Sequence, residues 1–241
     1  MNARVCTVAI GKWYPRGAAR MINAFHQFNP DLKVMANINV LPPGAPPGMV
    51  DDRYDYTGYC AKPFALAAAM FDGADIGLLL DASVYPIRSI EPLLKHIEEN
   101  GYYMAPAGFS IGQWASDEAL EYFGVDREDA FGMADCASGI VGLNFRTGEG
   151  KELLRQWCVA APAFPGYHSN SKAGSKEFSY RNEGFLSDDP RVLGHRHDQT
   201  ALSIICHQMG MTNWTPWPKY VAYQYKLAAV PAETCLLIAG M

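Results

Sequence analysis

No two of the six cysteines stand in a C-x-x-C or similar spacing. Cys6, Cys158 and Cys206 lie in apolar-rich segments, where buried thiols are common. All six are therefore read as reduced and structural, the usage of a cytoplasmic rather than a secreted protein. There is no basic run, and the net charge is −5, which argues against nucleic acid held by broad phosphate contact. A few local cations still suffice for a small anionic ligand. No apolar run approaches the roughly 20 residues that span a bilayer. The N-terminal apolar stretch is broken by Gly11, Lys12 and Pro15, so it does not read as a signal peptide. G-x-G-x-x-G is absent, which removes support for a Rossmann dinucleotide site. The P-loop and the G-x-S-x-G elbow of α/β-hydrolases are absent too. Internal repeats and low-complexity linkers are also missing.

What remains is an ordinary globular composition over 241 residues, 49% apolar and 19% charged. That length can bury a substantial core and suits one large domain or two small ones. Strands are expected at residues 5–10, 33–40, 76–80, 102–106 and 138–145, and helices at 16–28, 62–71, 89–100, 116–123, 149–160 and 198–209. Gly101 is the expected C-terminal stop of one helix and Ser116 the N-cap of the next. The stretch 162–194 is rich in Gly, Ser, Pro and charge and reads as a long functional loop, a candidate lid. Residues 214–217 and 220–225 read as short closing segments, and 236–239 as a last strand or a docked tail. Strands and helices alternate in the first half, so the fold class is α/β with a mostly parallel central sheet flanked by helices.

Four constellations carry chemical interest. Ile76-Gly77-Leu78-Leu79-Leu80 is apolar on both faces, the pattern of a buried central strand, and Asp81-Ala82-Ser83 follows it. A carboxylate there sits where open α/β sheets bind ligands, and can hold a metal with a diphosphate or take a ribose hydroxyl; a turn or capping role is the plain alternative. Gly194-His195-Arg196-His197-Asp198-Gln199-Thr200 crowds polar groups at a helix start. His197 or Asp198 could simply cap that helix, and the His195/His197 pair lacks the support of an H-E-x-x-H spacing for a metal. Asp135-Cys136-Ala137-Ser138-Gly139-Ile140 reads as a small-residue turn before a strand, which lets a ligand approach the backbone. Gly11-Lys12-Trp13-Tyr14-Pro15-Arg16-Gly17 follows the first strand, where α/β proteins often touch a nucleotide.

In this order the four pieces resemble the GT-A fold glycosyltransferases, the nucleotide-sugar-dependent class. The resemblance covers roughly residues 5–210. The loop at Gly11 to Arg16 matches the family's first nucleotide-contacting loop, and Lys62 with Leu78-Leu79-Leu80-Asp81-Ala82-Ser83 matches its lysine-bearing helix and D-x-D strand. Ala137 to Asn144 matches its later small-residue strand. Asp198-Gln199 resembles the D-Q pair of retaining families such as the lipopolysaccharide galactosyltransferase-like enzymes. The chain departs from the pattern at D-A-S, where Ser83 replaces the second carboxylate.

The resemblance implies a single GT-A-like domain over 1–241, with a donor-binding half at about 1–110 and an acceptor-side half at about 111–241. It implies transfer of a sugar from a nucleoside-diphosphate sugar to the hydroxyl of a glycan, lipid, protein or small molecule, with the D-Q pair pointing toward retention. The donor-binding candidates are Ile10, Gly11, Tyr14, Lys62, Asp81, Ala82 and Ser83. Asp198 and Gln199 are the catalytic candidates, and Ser138, Gly139, His197 and Trp114 the acceptor-side ones. Asp81 is the candidate metal ligand, which leaves room for Mn2+ or Mg2+ held with the diphosphate alone. Lys62, Lys12, Arg16, Arg181 and Lys219 are the candidate cations for the leaving diphosphate, and Trp114, Tyr167, Trp214 and Trp217 the candidate sugar-stacking rings. The alternatives are a non-catalytic nucleotide-sugar-binding module and a nucleotidyltransferase.

Overall fold

The computed structural model describes residues 1–46, 59–160, 187–224 and 229–239. A central sheet has the order β2-β1-β3-β8-β5. Its strands are β1 (Ala3–Ala9), β2 (Lys33–Ile38), β3 (Ile76–Leu80), β8 (Ile140–Asn144) and β5 (Tyr102–Tyr103). β1 pairs in parallel with both β2 and β3, while β8 runs antiparallel to β3 and to β5. Four of the five strands thus share one direction, and β8 is the exception. β3 lies in the middle with every residue buried, as its uniformly apolar sequence predicts.

Alternation along β3 divides the core into two layers. Ile76, Leu78 and Leu80 pack with Met21 and Phe25 of α1 (Tyr14–Phe28) and with Leu93, Leu94 and Ile97 of α3 (Glu91–Asn100). Leu79 packs on the opposite face against α2 (Lys62–Phe71), α6 (Gly148–Ala160) and α7 (His197–Gln208). The period of 2 in a strand therefore sorts the helices into two flanking sets.

Several expectations hold in detail. Gly101 caps α3 in the left-handed region at φ 84°. Ser116 caps α4 (Asp117–Phe123), its Oγ accepting from the Ala119 N–H. All six cysteines are free thiols.

Others are corrected. The expected strand 102–106 is two elements, because β6 (Pro106–Ser110) leaves the sheet to pair with β7 (Ala134–Cys136). Asp135 and Cys136 are therefore strand residues, and the small-residue turn begins after them. A short helix α5 (Arg127–Gly132) and a short strand β4 (Val84–Pro86) were not expected. The C-terminal segment is strand β10 (Leu236–Ile238), which joins β4 and β9 (Val221–Tyr223) in a second, three-stranded sheet. α7 reads as amphipathic in sequence, yet Asp198 to Cys206 are all buried, because α6, β7 and the turn before α2 surround it. Most of the candidate lid at 162–194 lies outside the described residues.

Candidate functional site

The site assembles at the carboxyl ends of β1 and β3. The antiparallel register of β8 sets Leu80 opposite Ile140, so the turn before β8 lies at the same edge as Asp81. The Asp81 N–H donates to the Gly139 carbonyl at 2.8 Å. A Cβ at Gly139 would lie 2.7 Å from Asp81 Oδ2, so only glycine admits the carboxylate there. On the other side, a Cβ at Gly17 of α1 would collide with the Ala82 carbonyl oxygen. Ala82 is thus a backbone spacer, buried with Ala9 and Ala18 and flanked by Tyr14.

Lys62 is the hub. It opens α2, where the helix dipole disfavours a cation. Its Nζ lies 2.9 Å from Asp81 Oδ1 and 3.3 Å from Asp198 Oδ2, and it donates to Ser138 Oγ at 3.4 Å. Lys62 and Asp198 are buried, whereas the Asp81 side chain is 38% exposed and faces solvent. Burial works against the ammonium, but the two carboxylates overcome it and hold its pKa above the ordinary lysine value. Burial raises the pKa of Asp198, opposed by Lys62 and by a hydrogen bond from Ser138. Asp198 is not a helix cap: Arg196 stands at the N-cap without a side-chain bond, and the Asp198 carboxylate turns to Lys62 instead. Its backbone carbonyl accepts from Trp157 Nε1 at 3.0 Å, which anchors the first turn of α7.

Beside this hub opens a cleft of about 190 Å³. Asp81, Ser83, Gly139, Arg196 and Gln199 supply its polar lining, and Phe109, Trp217 and Tyr223 its aromatic lining. Arg196 rests against the rings of Phe109 and Trp114, its guanidinium carbon 4.6 and 4.4 Å from their centroids. Trp217 donates its indole N–H to the Pro106 carbonyl at 2.6 Å. Beneath the cleft, Gln199 Nε2 donates to Asp135 Oδ2 and Ser203 Oγ to Asp135 Oδ1, both at 2.6 Å.

The structure brings Lys62, Asp81, Ser138, Gly139 and Asp198 together from segments far apart in the chain, with Ser83 and Gln199 on the adjoining cleft. Trp114 stands one layer back, behind Arg196, and does not line the cleft. Ile10 and Gly11 follow β1, where the Gly11 N–H donates to Asn39 Oδ1 at 3.1 Å. Tyr14 is the first residue of α1 rather than part of a loop. Lys12 and Arg16 lie over the exposed Trp13 ring, and Lys219 lies over Tyr220. Trp214 is spent on His207 and on the Met211 carbonyl. The side chain of His197, and all of Tyr167 and Arg181, lie outside the described residues. His195 is fully buried, its Nδ1 accepting from the Ser116 N–H, and burial pushes its pKa down to about 3, so it is a neutral core group.

Sequence reasoning singled out neither Arg196 nor Asp135, although both sit inside quoted constellations. Phe109 and Tyr223 were missed outright, because nothing in their flanking sequence marks them. For a divalent cation the described donors amount to the Asp81 carboxylate. One of its oxygens is held by an ammonium, and Ser83 stands in the second position. Among the described residues no group of three His, Cys, Asp or Glu could hold a metal. These donors by themselves do not make a metal site. Among them, too, no helix is long and apolar enough to cross a membrane.

No protein-family profile and no curated protein matches this chain. Among solved structures, it is similar to a glycosyltransferase involved in the glycosylation of the major capsid of PBCV-1. The TM-score is 0.51 and the identity 10%, over 99% of this chain and 93% of that one. The likeness is one of fold, and it spans nearly the whole of both chains.

Proposed function

We propose that this protein is a glycosyltransferase that moves a sugar from a nucleoside-diphosphate sugar to an acceptor hydroxyl. One observation carries the reading: a buried lysine held between two carboxylates, one buried and one open to a cleft, at the strand ends of a fold shared with a solved glycosyltransferase. Strand ends of this kind are where α/β sheets bind nucleotides. The donor's nucleoside belongs beside Ile10, Gly11 and Tyr14, and its diphosphate beside Asp81 and Ser83.

In the reaction the bond from the anomeric carbon to the diphosphate oxygen breaks and the bond to the acceptor oxygen forms. The sugar passes through a cationic, oxocarbenium-like state, and negative charge gathers on the diphosphate. Arg196 is the cation that lines the cleft for that charge, held by aromatic rings, while Lys62 behind it holds the Asp81 carboxylate in place. Gln199 stands at the sugar on the cleft wall, and Asp198, buried beside Lys62, acts on it only as a nearby negative charge. With retention, the acceptor's proton passes to the departing diphosphate. A Mn2+ or Mg2+ ion, if bound, would rest on Asp81 and the donor's phosphates, and no step above depends on it.

The test is a thermal-shift and calorimetric panel of nucleoside-diphosphate sugars, each with Mn2+, Mg2+ or EDTA. Ligand at a hundredfold excess over Kd stabilises the fold by about 2.7 kcal/mol. One nucleotide class should stabilise the protein, and Asp81→Ala should abolish the effect. Release of nucleoside diphosphate, by hydrolysis or by transfer, identifies the enzyme. Binding without release identifies a nucleotide-sugar-binding module, and release of pyrophosphate a nucleotidyltransferase.

A further inference from the structure

Asp135 lies one layer below the cleft and touches no open space, being 1% exposed. Gln199 and Ser203 lie four residues apart, hence on one face of α7. Both point at this carboxylate from above. Gln199 Nε2 and Ser203 Oγ on the two oxygens of Asp135 fit an ionised carboxylate that accepts twice. Ser203 Oγ carries one hydrogen. It accepts from the Cys136 N–H at 2.9 Å, so its own hydrogen goes to Asp135 Oδ1 at 2.6 Å. The Cys136 sulfur, at 3.1 Å, is the weaker competitor for that hydrogen. The other carboxylate oxygen, Oδ2, meets the Gln199 amide at 2.6 Å. An ionised carboxylate only accepts, so the amide end facing it must be the NH2 group. The Asp135 pKa is raised above the ordinary aspartate value, because burial outweighs the Ser203 and Gln199 donors and the nearby Arg196 charge. The Gln199 carbonyl oxygen is thereby turned away from Asp135. Gln199 lines the cleft, and the only hydrogen bond of its side chain among the described residues is the one to Asp135.

We infer that Asp135 is a positioning residue: it locks the Gln199 amide so that a pure hydrogen-bond acceptor faces the cleft, and the ligand group met there is a hydroxyl donor of a sugar ring. Without the clamp an amide can turn over and offer either end. With it, a phosphate oxygen meets only a repelling carbonyl, while a sugar hydroxyl finds an acceptor. The clamp therefore sets what the cleft takes beside Gln199, a sugar hydroxyl rather than a phosphate oxygen. The hydroxyl partner rests on the glycosyltransferase reading; the clamp itself does not.

The experiment has two arms. In the first, the side-chain amide signals of ¹⁵N-labelled protein are recorded without ligand, and those of Gln199 are identified by their loss in Gln199→Leu. The expected signals are protected from exchange and move in Asp135→Asn, where both neighbours can donate or accept. Signals that exchange freely and ignore Asp135→Asn overturn the clamp. The second arm compares UDP, GDP, ADP and dTDP with their glucose conjugates. In the wild type, one conjugate should bind better than its nucleoside diphosphate. Asp135→Asn should cut that preference roughly tenfold, the worth of one well-placed hydrogen bond, while leaving the bare nucleoside diphosphate within about twofold. The pair Asp135→Asn with Gln199→Glu restores an acceptor in the cleft, since a carboxylate accepts from the new amide and still presents an oxygen, and should recover the preference.

Equal weakening of both ligands, or an unchanged preference, overturns the positioning role. If Asp135→Asn does not fold, Gln199→Leu bears the same test: an unchanged preference overturns the inference and a selective loss upholds it. If no probe binds the wild type, the glycosyltransferase reading fails and takes the hydroxyl partner with it, while the amide signals still decide the clamp.

Discussion

Lys62→Met removes the charge at the hub and keeps most of the side chain's volume. In the wild type the ammonium serves two carboxylates, at 2.9 and 3.3 Å. The Asp81 contact is partly open to solvent and so contributes little. The cost comes from Asp198, which is 3% exposed and is left as a buried charge with Ser138 as its remaining donor. Removing one partner of a buried pair costs about 3–5 kcal/mol. Asp198 can escape part of that by taking up a proton, so the lower figure applies. About 3 kcal/mol in a chain this long lowers the Tm by roughly 6–12 °C.

The pH dependence separates this account from simple loss of packing. The Lys62 pKa is raised above its ordinary 10.5, so its contribution is fully present below that value and is constant between pH 5 and 8. In Lys62→Met, the folded-state pKa of Asp198 rises further, and the folded protein binds a proton that the unfolded chain does not. The deficit therefore shrinks as the pH falls from 7.5 toward the unfolded aspartate value near 4. The assay is urea unfolding at pH 7.5 and 5.0 of the wild type, Lys62→Met, Asp198→Asn and the double variant. The double variant should be less destabilised than Lys62→Met alone by at least about 1 kcal/mol. A deficit below about 1 kcal/mol at pH 7.5, a deficit unchanged at pH 5.0, or simple additivity would refute the reasoning.

Three further outcomes follow from the same contacts. His195 is neutral when folded, its pKa lowered to about 3, and ordinary when unfolded, so its contribution is present above pH 6.5 and is lost as the pH falls toward 3. The stability gap between wild type and His195→Gln should thus narrow by about 2 kcal/mol between pH 7.5 and 5 in denaturation curves; a constant gap contradicts the buried, neutral histidine. Gly139→Ala forces the Asp81 carboxylate aside, and calorimetry should find nucleoside-diphosphate affinity lowered more than about tenfold with circular dichroism unchanged; full affinity would mean that Asp81 does not contact the donor. Gly17→Ala presses on the Ala82 backbone rather than on a flexible side chain, so a loss of about 1–3 kcal/mol is expected in urea unfolding, and an unaltered midpoint would show that α1 can slide away from the strand end.

Local pattern made much of this protein legible before its structure. β3 was readable because five apolar residues in a row suit a strand covered on both faces, and the carboxylate after it then had to lie at a strand end. Gly101 and Ser116 were readable because caps are chemistry within one turn of the chain. β4, β5 and β7 were not read, or were read too long, because two or three residues carry no usable period and pair with partners far away. Asp198 invited a capping role because its sequence neighbourhood is a helix start, whereas its partner lies 136 residues earlier in the chain, on α2.

The sequence by itself determined the alternating layers, the buried central strand, the thiol state and the segments where polar groups gather, since each depends on residues within a few positions of one another. Only the tertiary structure decided that β8 runs antiparallel and carries Gly139 to Asp81, that Lys62 joins two carboxylates, that Arg196 and the Trp217 wall share a cleft, and that Asp135 sets the Gln199 amide. Those facts depend on strand direction and long-range register, which are set by how whole faces pack, and no short stretch of sequence encodes them.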